Sequence, residues 1–224
     1  FWEFLATRVA QEIKNPMVAV NTFAQLLPKK YESEEFREAF GEVVQKEVAR
    51  INNVVETLYD FARHPRLVVQ KSDLRETVHS VVESFSEELK IRNIEVEEDY
   101  DPAIAAIEMD PIYFSQAIHN IVQNSIEAMP SGGKLRIKAQ GGNEGCQLVI
   151  ADSGPGIPEQ DAGLIFLPFF STKEKGMGLG LTMASRILEQ HEGELRLVTN
   201  EEGGGAFALS LPTSKKHHAE HTGD

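Results

Sequence analysis

Two asparagines one helical turn apart, Asn120 and Asn124, place two neutral carboxamide oxygens on a single helix face. Such oxygens suit Mg2+, which prefers oxygen ligands and keeps several waters, and Asn124 is the candidate ligand. Glu127, three residues on, is placed to hold one of those waters or to act as a base. A solvated polar face accounts for the pair equally well. Asp152 follows the apolar run 147–151. A carboxylate at a strand end facing a cleft can accept a hydrogen bond from an exocyclic amine such as adenine's. Gly154 and Gly156 let backbone approach a planar ring, although Asp-Ser-Gly also makes an ordinary turn. Phe169 and Phe170 lie in a Gly/Pro-rich stretch, where adjacent aromatics must pack down onto something. Lys173 either reaches a terminal phosphate or is a solvated loop cation. Gly176, Gly178 and Gly180, followed by Leu181, lead into a helix whose free N–H groups and dipole favour phosphate. A lone Gly-x-Gly-x-Gly is weak. Four such clusters in this order, within about sixty residues, point to one nucleotide pocket.

The elements that must position these groups follow from periodicity. In residues 1–63, Leu5, Val9, Ile13, Val20 and Leu27 recur at helical spacing, then Phe40, Val44, Ile51, Val54, Leu58 and Phe61, with Glu47 the polar exception. Residues 28–34 break the pattern, so the segment reads as a helical hairpin with arms about 42 Å long. One hairpin buries one side of each helix, and two would complete a four-helix bundle, so a homodimer is expected. His64-Pro65 ends the second helix. Beyond it the spacing predicts a strand at 67–69, a helix from 74 to about 90 capped by Ser72 or Asp73, and strands at 94–96 and 104–108. A helix at 111–129 follows, then strands at 134–139 and 147–151 and a long loop over 153–178. A helix at about 178–190 and strands near 194–199 and 206–211 finish the domain. The expected fold is α+β: a hairpin at 1–64, an α/β sandwich at 65–212 with helices on one face of a sheet, and a polar disordered tail at 213–224.

Composition narrows the partners. The net charge of −13, from 22 basic and 35 acidic residues, argues against nucleic acid and an anionic membrane surface. The single Cys146 excludes an internal disulfide, fits a reducing cytosol and sits in an apolar strand. No apolar run approaches the roughly twenty residues of a membrane span. The chain opens on Phe1-Trp2-Glu3-Phe4 without Met, so it reads as a fragment of a longer protein. A cytoplasmic location is expected, with membrane attachment only through segments absent from this chain.

These clusters resemble the cytoplasmic core of a two-component sensor histidine kinase of the nitrogen-regulation type, over residues 1 to about 212. Asn120 and Asn124 match the family's asparagine box. Asp152, Gly154 and Gly156 match its first glycine box, Phe169 and Phe170 its phenylalanine box, and Gly176, Gly178 and Gly180 its second glycine box. The resemblance implies ATP and Mg2+ in a Bergerat-type fold, a mobile lid over 158–176, a homodimer and a response-regulator receiver domain as partner. Glu12-Ile13-Lys14-Asn15-Pro16 matches the acceptor-helix motif, but the family's phosphoacceptor histidine falls on Gln11.

Helix geometry still turns Gln11 away from the seam, with Asn15 below it and Glu12 beside it. A neutral imidazole offers an in-plane lone pair, and a neighbouring carboxylate can take its proton. A carboxamide nitrogen delocalises its lone pair into the carbonyl and is a poor nucleophile. Autophosphorylation at position 11 is therefore expected to be blocked. His64, His79, His119, His191 and the tail histidines do not lie beside Glu12. Asn15 matches the family residue that orients a water for attack on an aspartyl phosphate, so phosphatase activity can survive. The alternatives are a pseudokinase scaffold that binds ATP and a receiver domain, and a gyrase- or chaperone-type ATPase, against which the hairpin argues. A complete pocket leans the reading to an active family member with its acceptor substituted.

Overall fold

The computed structural model of the chain describes residues 2–63, 66–102, 104, 106–142, 145–173, 177–200 and 203–212. Gly176, His64 and the tail at 213–224 lie outside them. The chain divides into two compact units, Phe1–Pro65 with Leu167–Leu179, and Arg66–Phe166 with Gly180–Asp224.

In the first unit, α1 (Trp2–Lys30) and α2 (Glu34–Ala62) form the hairpin. The break falls at 31–33, later than expected, because α1 continues through Pro28. Ser33 begins α2 as its N-cap, its hydroxyl accepting from the Phe36 N–H at 3.2 Å, with Glu34 and Glu35 favourable at the helix's positive end. Phe23, Phe36 and Phe40 close this end of the hairpin, with Phe23 and Phe36 stacked at 5.8 Å. Among the described hairpin hydrophobics only Val54 is fully buried, and Met17, Val18, Val55 and Tyr59 are more than half exposed.

The second unit is a five-stranded sheet beside a helical layer. Its strands are β2 (Ile94–Tyr100), β4 (Gly133–Gly142), β5 (Gly145–Asp152), β6 (Glu194–Leu197) and β7 (Ala206–Pro212), in the order β2-β4-β5-β7-β6. β2 runs parallel to β4 and the other pairs are antiparallel. Helices α3 (Leu74–Ser84), α4 (Ser86–Ile91), α5 (Pro111–Ala128) and α6 (Gly180–Gln190) make the second layer. β1 (Gln70–Ser72) pairs separately with β3 (Ile107–Met109). The core joins Leu74 and Val78 of α3, Phe114, Ile118, Ile121 and Ile126 of α5, and Leu188 of α6 with Leu135, Ile137, Leu148 and Ile150 of the sheet.

Three expectations shift. The strand expected at 67–69 begins at Gln70, because the Val68 N–H donates to Asp110 Oδ2 at 2.7 Å instead of to a ladder. The helix expected to run unbroken from 74 to 90 is interrupted at Phe85, whose N–H bonds to Val82 O at 3.0 Å, three residues back. Asp73 is the cap, its carboxylate accepting from Arg75 N–H. The strand expected at 104–108 is reduced to β3.

Two titratable groups record the packing. Burial pushes the Cys146 thiol up to about 11, which fits a core residue and not a reactive nucleophile. Phe85 lies against the His119 ring at 4.6 Å between centroids, and desolvation holds that imidazole below its ordinary value. On acidification below about pH 6.5 the unfolded chain therefore gains a proton at this ring before the folded chain does. Stability should fall through that window and level off below the lowered folded value. His119→Phe should flatten the slope, as measured by urea denaturation across roughly pH 5–7.

Candidate functional site

The phase of α5 sorts its side chains. Phe114, Ile118, Ile121, Val122 and Ser125 face the core, while Asn120 and Asn124 are half-buried and Glu127 is exposed. The i, i+4, i+7 spacing of Asn120, Asn124 and Glu127 thus forms one polar stripe, as the sequence implied. Gln123 Nε2 donates to Glu127 Oε1 at 3.1 Å, holding that carboxylate along the helix.

β5 delivers Asp152, which is buried, at its end. The Asp152 N–H donates to Gly205 O at 2.8 Å, and Asn200 Nδ2 donates to Asp152 O at 2.9 Å. Oδ1 accepts from the Gly154 and Gly205 N–H groups at 2.9 and 3.1 Å. Oδ2 has no donor among the described residues. A methyl group on Gly154 would stand 2.8 Å from Oδ1, and one on Gly205 would stand 2.8 Å from Oδ2. Two glycines thus leave the carboxylate approachable. A side chain on Gly204, at φ +84°, would fall 1.8 Å from Asp152 O. The run Gly203-Gly204-Gly205 and Asn200 were missed from the sequence. Three consecutive glycines just before the strand that pairs with β5 were the available signal.

A polar ligand fits this cradle. Asp152 Oδ2 lacks a donor among the described residues, whereas Ser125 Oγ, also without a partner among them, faces the core and not this cradle. Buried polar atoms that the protein does not satisfy are those a ligand or its waters can satisfy. The carboxamides of Asn120 and Asn124 are neutral oxygen donors of the type that could hold Mg2+ together with water. Gly180 opens α6 near Asn120, 3.8 Å from the Asn120 Cβ for an added methyl. Leu181 is half-buried, and Thr182 Oγ1 donates to Phe166 O at 3.1 Å, which ties the first turn of α6.

Phe170, Lys173 and Gly178 group with the hairpin unit. Phe169 is buried there, its ring edge-on to Phe61 of α2 at 6.0 Å. Phe169 holds φ +67°, a left-handed conformation costly for a non-glycine residue, and its N–H bonds to Gly178 O at 2.9 Å. Gly178 itself has φ +65°, and any side chain there would meet Phe170 O. The Lys173 N–H is turned back onto Ser171 Oγ at 3.1 Å.

On α1, Gln11 and Asn15 are both exposed, whereas Glu12 and Pro16 are buried. Arg50 of α2 donates from Nη2 to Glu12 Oε2 at 3.0 Å. Arg50 was not anticipated, because its partner lies 38 residues away.

Residues 109–215 match the family described as Histidine kinase-, DNA gyrase B-, and HSP90-like ATPase, and residues 2–66 match the His Kinase A (phospho-acceptor) domain. The chain is 30% identical over 210 residues to Sensor histidine kinase ZraS of Escherichia coli strain K12, covering 94% of this chain and 45% of that protein. It is 32% identical over 213 residues to Sporulation kinase D of Bacillus subtilis strain 168, covering 94% and 42%. It therefore spans less than half the length of these relatives. Among solved structures, the nucleotide-free catalytic domain of histidine kinase ThkA is similar at TM-score 0.62 and 31% identity, covering 66% of this chain and 97% of that one. Histidine kinase ThkA in complex with response regulator protein TrrA is similar at TM-score 0.78 and 27% identity, covering 93% and 61%.

Gly204→Ala should cost at least ~2 kcal/mol in urea denaturation, because a methyl collides with the Asp152 carbonyl. Gly203→Ala meets nothing within 4 Å and should cost only the left-handed strain, about 1 kcal/mol.

Proposed function

The chain belongs to the histidine kinase family, and from that premise we propose that it is a sensor-kinase core that binds Mg-ATP beside Asp152 and carries, at Gln11, a side chain that takes no phosphate. The observation behind this reading is an exposed carboxamide on α1 in a chain whose Asp152 cradle is complete. Asp152 Oδ2 accepts from the adenine amine, and the glycines around it admit the ring. Asn120 and Asn124 hold Mg2+ directly or through its waters, with Asn124 the direct ligand and Glu127 bound to a metal water. The N-terminus of α6, with Gly180 and Leu181, takes the phosphates. Mg-ATP, when bound, supplies an electrophilic terminal phosphoryl group. The chain's contribution is to hold that group while the acceptor is presented from the hairpin.

The acceptor step is where the chemistry stops. A carboxamide matches some hydrogen bonds of an imidazole but offers no nucleophilic lone pair. Glu12, the candidate base, is buried and held by Arg50. The hairpin's half-exposed apolar flanks support association of two chains into a four-helix bundle. The likeness to ThkA, solved with response regulator protein TrrA, supports a receiver domain as partner. No helix among the described residues is long and apolar enough to cross a membrane. The reading places this core in the cytoplasm, with any membrane attachment through other segments.

With labelled ATP, the chain should take no acid-labile, base-stable label, and Gln11→His should take it readily. A Gln11→His chain that binds Mg-ATP in calorimetry yet stays unlabelled would replace this reading with a nucleotide-binding scaffold. Asn15 is exposed four residues beyond Gln11, and its carboxamide can orient a water in line. Dephosphorylation of the receiver domain that the Gln11→His chain phosphorylates should slow by about tenfold or more in Asn15→Ala. An unchanged rate would remove the phosphatase role.

A further inference from the structure

His191 follows α6, buried, with both ring nitrogens engaged. Nδ1 lies 2.7 Å from Ile187 O, and Nε2 lies 2.9 Å from the Asp110 backbone N. A carbonyl can only accept and a backbone N–H can only donate. The proton therefore sits on Nδ1 and the lone pair on Nε2, so the ring is neutral and in one tautomer.

Asp110 is the N-cap of α5. Its Oδ1 accepts from Ile112 and Tyr113 N–H at 3.0 and 3.2 Å, and its Oδ2 from Val68 N–H at 2.7 Å. Its carbonyl accepts from Phe114 N–H at 2.9 Å, and the Phe114 ring meets His191 edge-on at 6.0 Å. The imidazole thus pins the start of α5 to the end of α6. The same helices approach again where Gly180 meets Asn120. From Asp110 to Asn120 and from His191 back to Gly180 the two helices rise by similar distances, about 15 Å. They therefore run antiparallel and are matched at two levels. A slip of one residue at the far level would carry Asn120 and Asn124 about 1.5 Å along Gly180.

We propose that His191, through the Nε2 lone pair that receives the Asp110 N–H, is a positioning residue that sets Asn120 and Asn124 against the phosphate-side end of α6. This rests on the nucleotide reading of that site. The alternative role is a simple cap on α6 through Ile187 O, and two amides separate the roles. His191→Gln extends an acceptor toward the Asp110 N–H, as Nε2 does. His191→Asn is shorter and retains only a donor for Ile187 O.

The test uses the full 224-residue chain, calorimetry with Mg-ATP, and 15N NMR of the labelled imidazole. Nδ1 should appear protonated and Nε2 bare in the unaltered chain. His191→Leu and His191→Asn should weaken Mg-ATP by about tenfold or more, and His191→Gln by less than about threefold. A protonated Nε2 overturns the proposal, and so do equal affinities of the Gln and Asn variants, a comparison that decides the matter even where His191→Leu does not fold. No heat from the unaltered chain would instead sink the nucleotide reading and this inference with it. Equal heats from all four chains sink the inference alone.

Discussion

Asp152 is a carboxylate held out of water by backbone alone. Its amide, its carbonyl and one of its oxygens are tied to Gly205, Asn200 and Gly154, with no cation in contact among the described residues. Such a group is expensive to bury unless its lone pairs are met, and here peptide N–H groups meet those of one oxygen. The glycines around it are therefore both steric and electrostatic requirements. Any side chain at Gly204 would displace the carbonyl that closes the cradle, and bulk at Gly154 or Gly205 would crowd the carboxylate itself. The rest of the second unit serves this arrangement: β5 and β7 fix the register, and α5 lays its amide stripe alongside its core stripe.

The hairpin is organised by the opposite logic. Its apolar residues are mostly half-buried or exposed, and a part-buried charged contact joins Glu12 to Arg50. Burial of a charge pair yields little net stability but specifies geometry, since either partner alone would be left unpaired. The pair fixes the rotation of α1 about its axis, which turns Gln11 and Asn15 outward together.

Much of this was legible in the sequence because it depends on local rules. The 3.6-residue phase of α5 gave both of its faces, and the end of β5 gave Asp152. What was not legible came from tertiary competition for backbone and charge. Residues 67–69 alternate poorly and are apolar, yet Val68 spends its N–H on a carboxylate 42 residues away. Phe85 interrupts a helix whose pattern continues, with φ −96° and ψ 4° and its ring against His119. Arg50 is half-buried on α2, and its role shows only once Glu12, 38 residues away in the chain, is opposite. The glycine run at 203–205 reads as a loose turn until the carbonyl it must clear is known.

The outer rims of the sheet carry matched charges. Along β2 and β4, Glu97 takes hydrogen bonds from Lys134 and Arg136, each at 2.7 Å, and these donors hold its carboxyl below the usual range. At the other margin, Arg196 meets Glu194. A foreign strand seeking to extend either rim would have to strip hydration from these ions and find no apolar ladder in return. The fold thereby discourages uncontrolled polymerisation through its exposed strands.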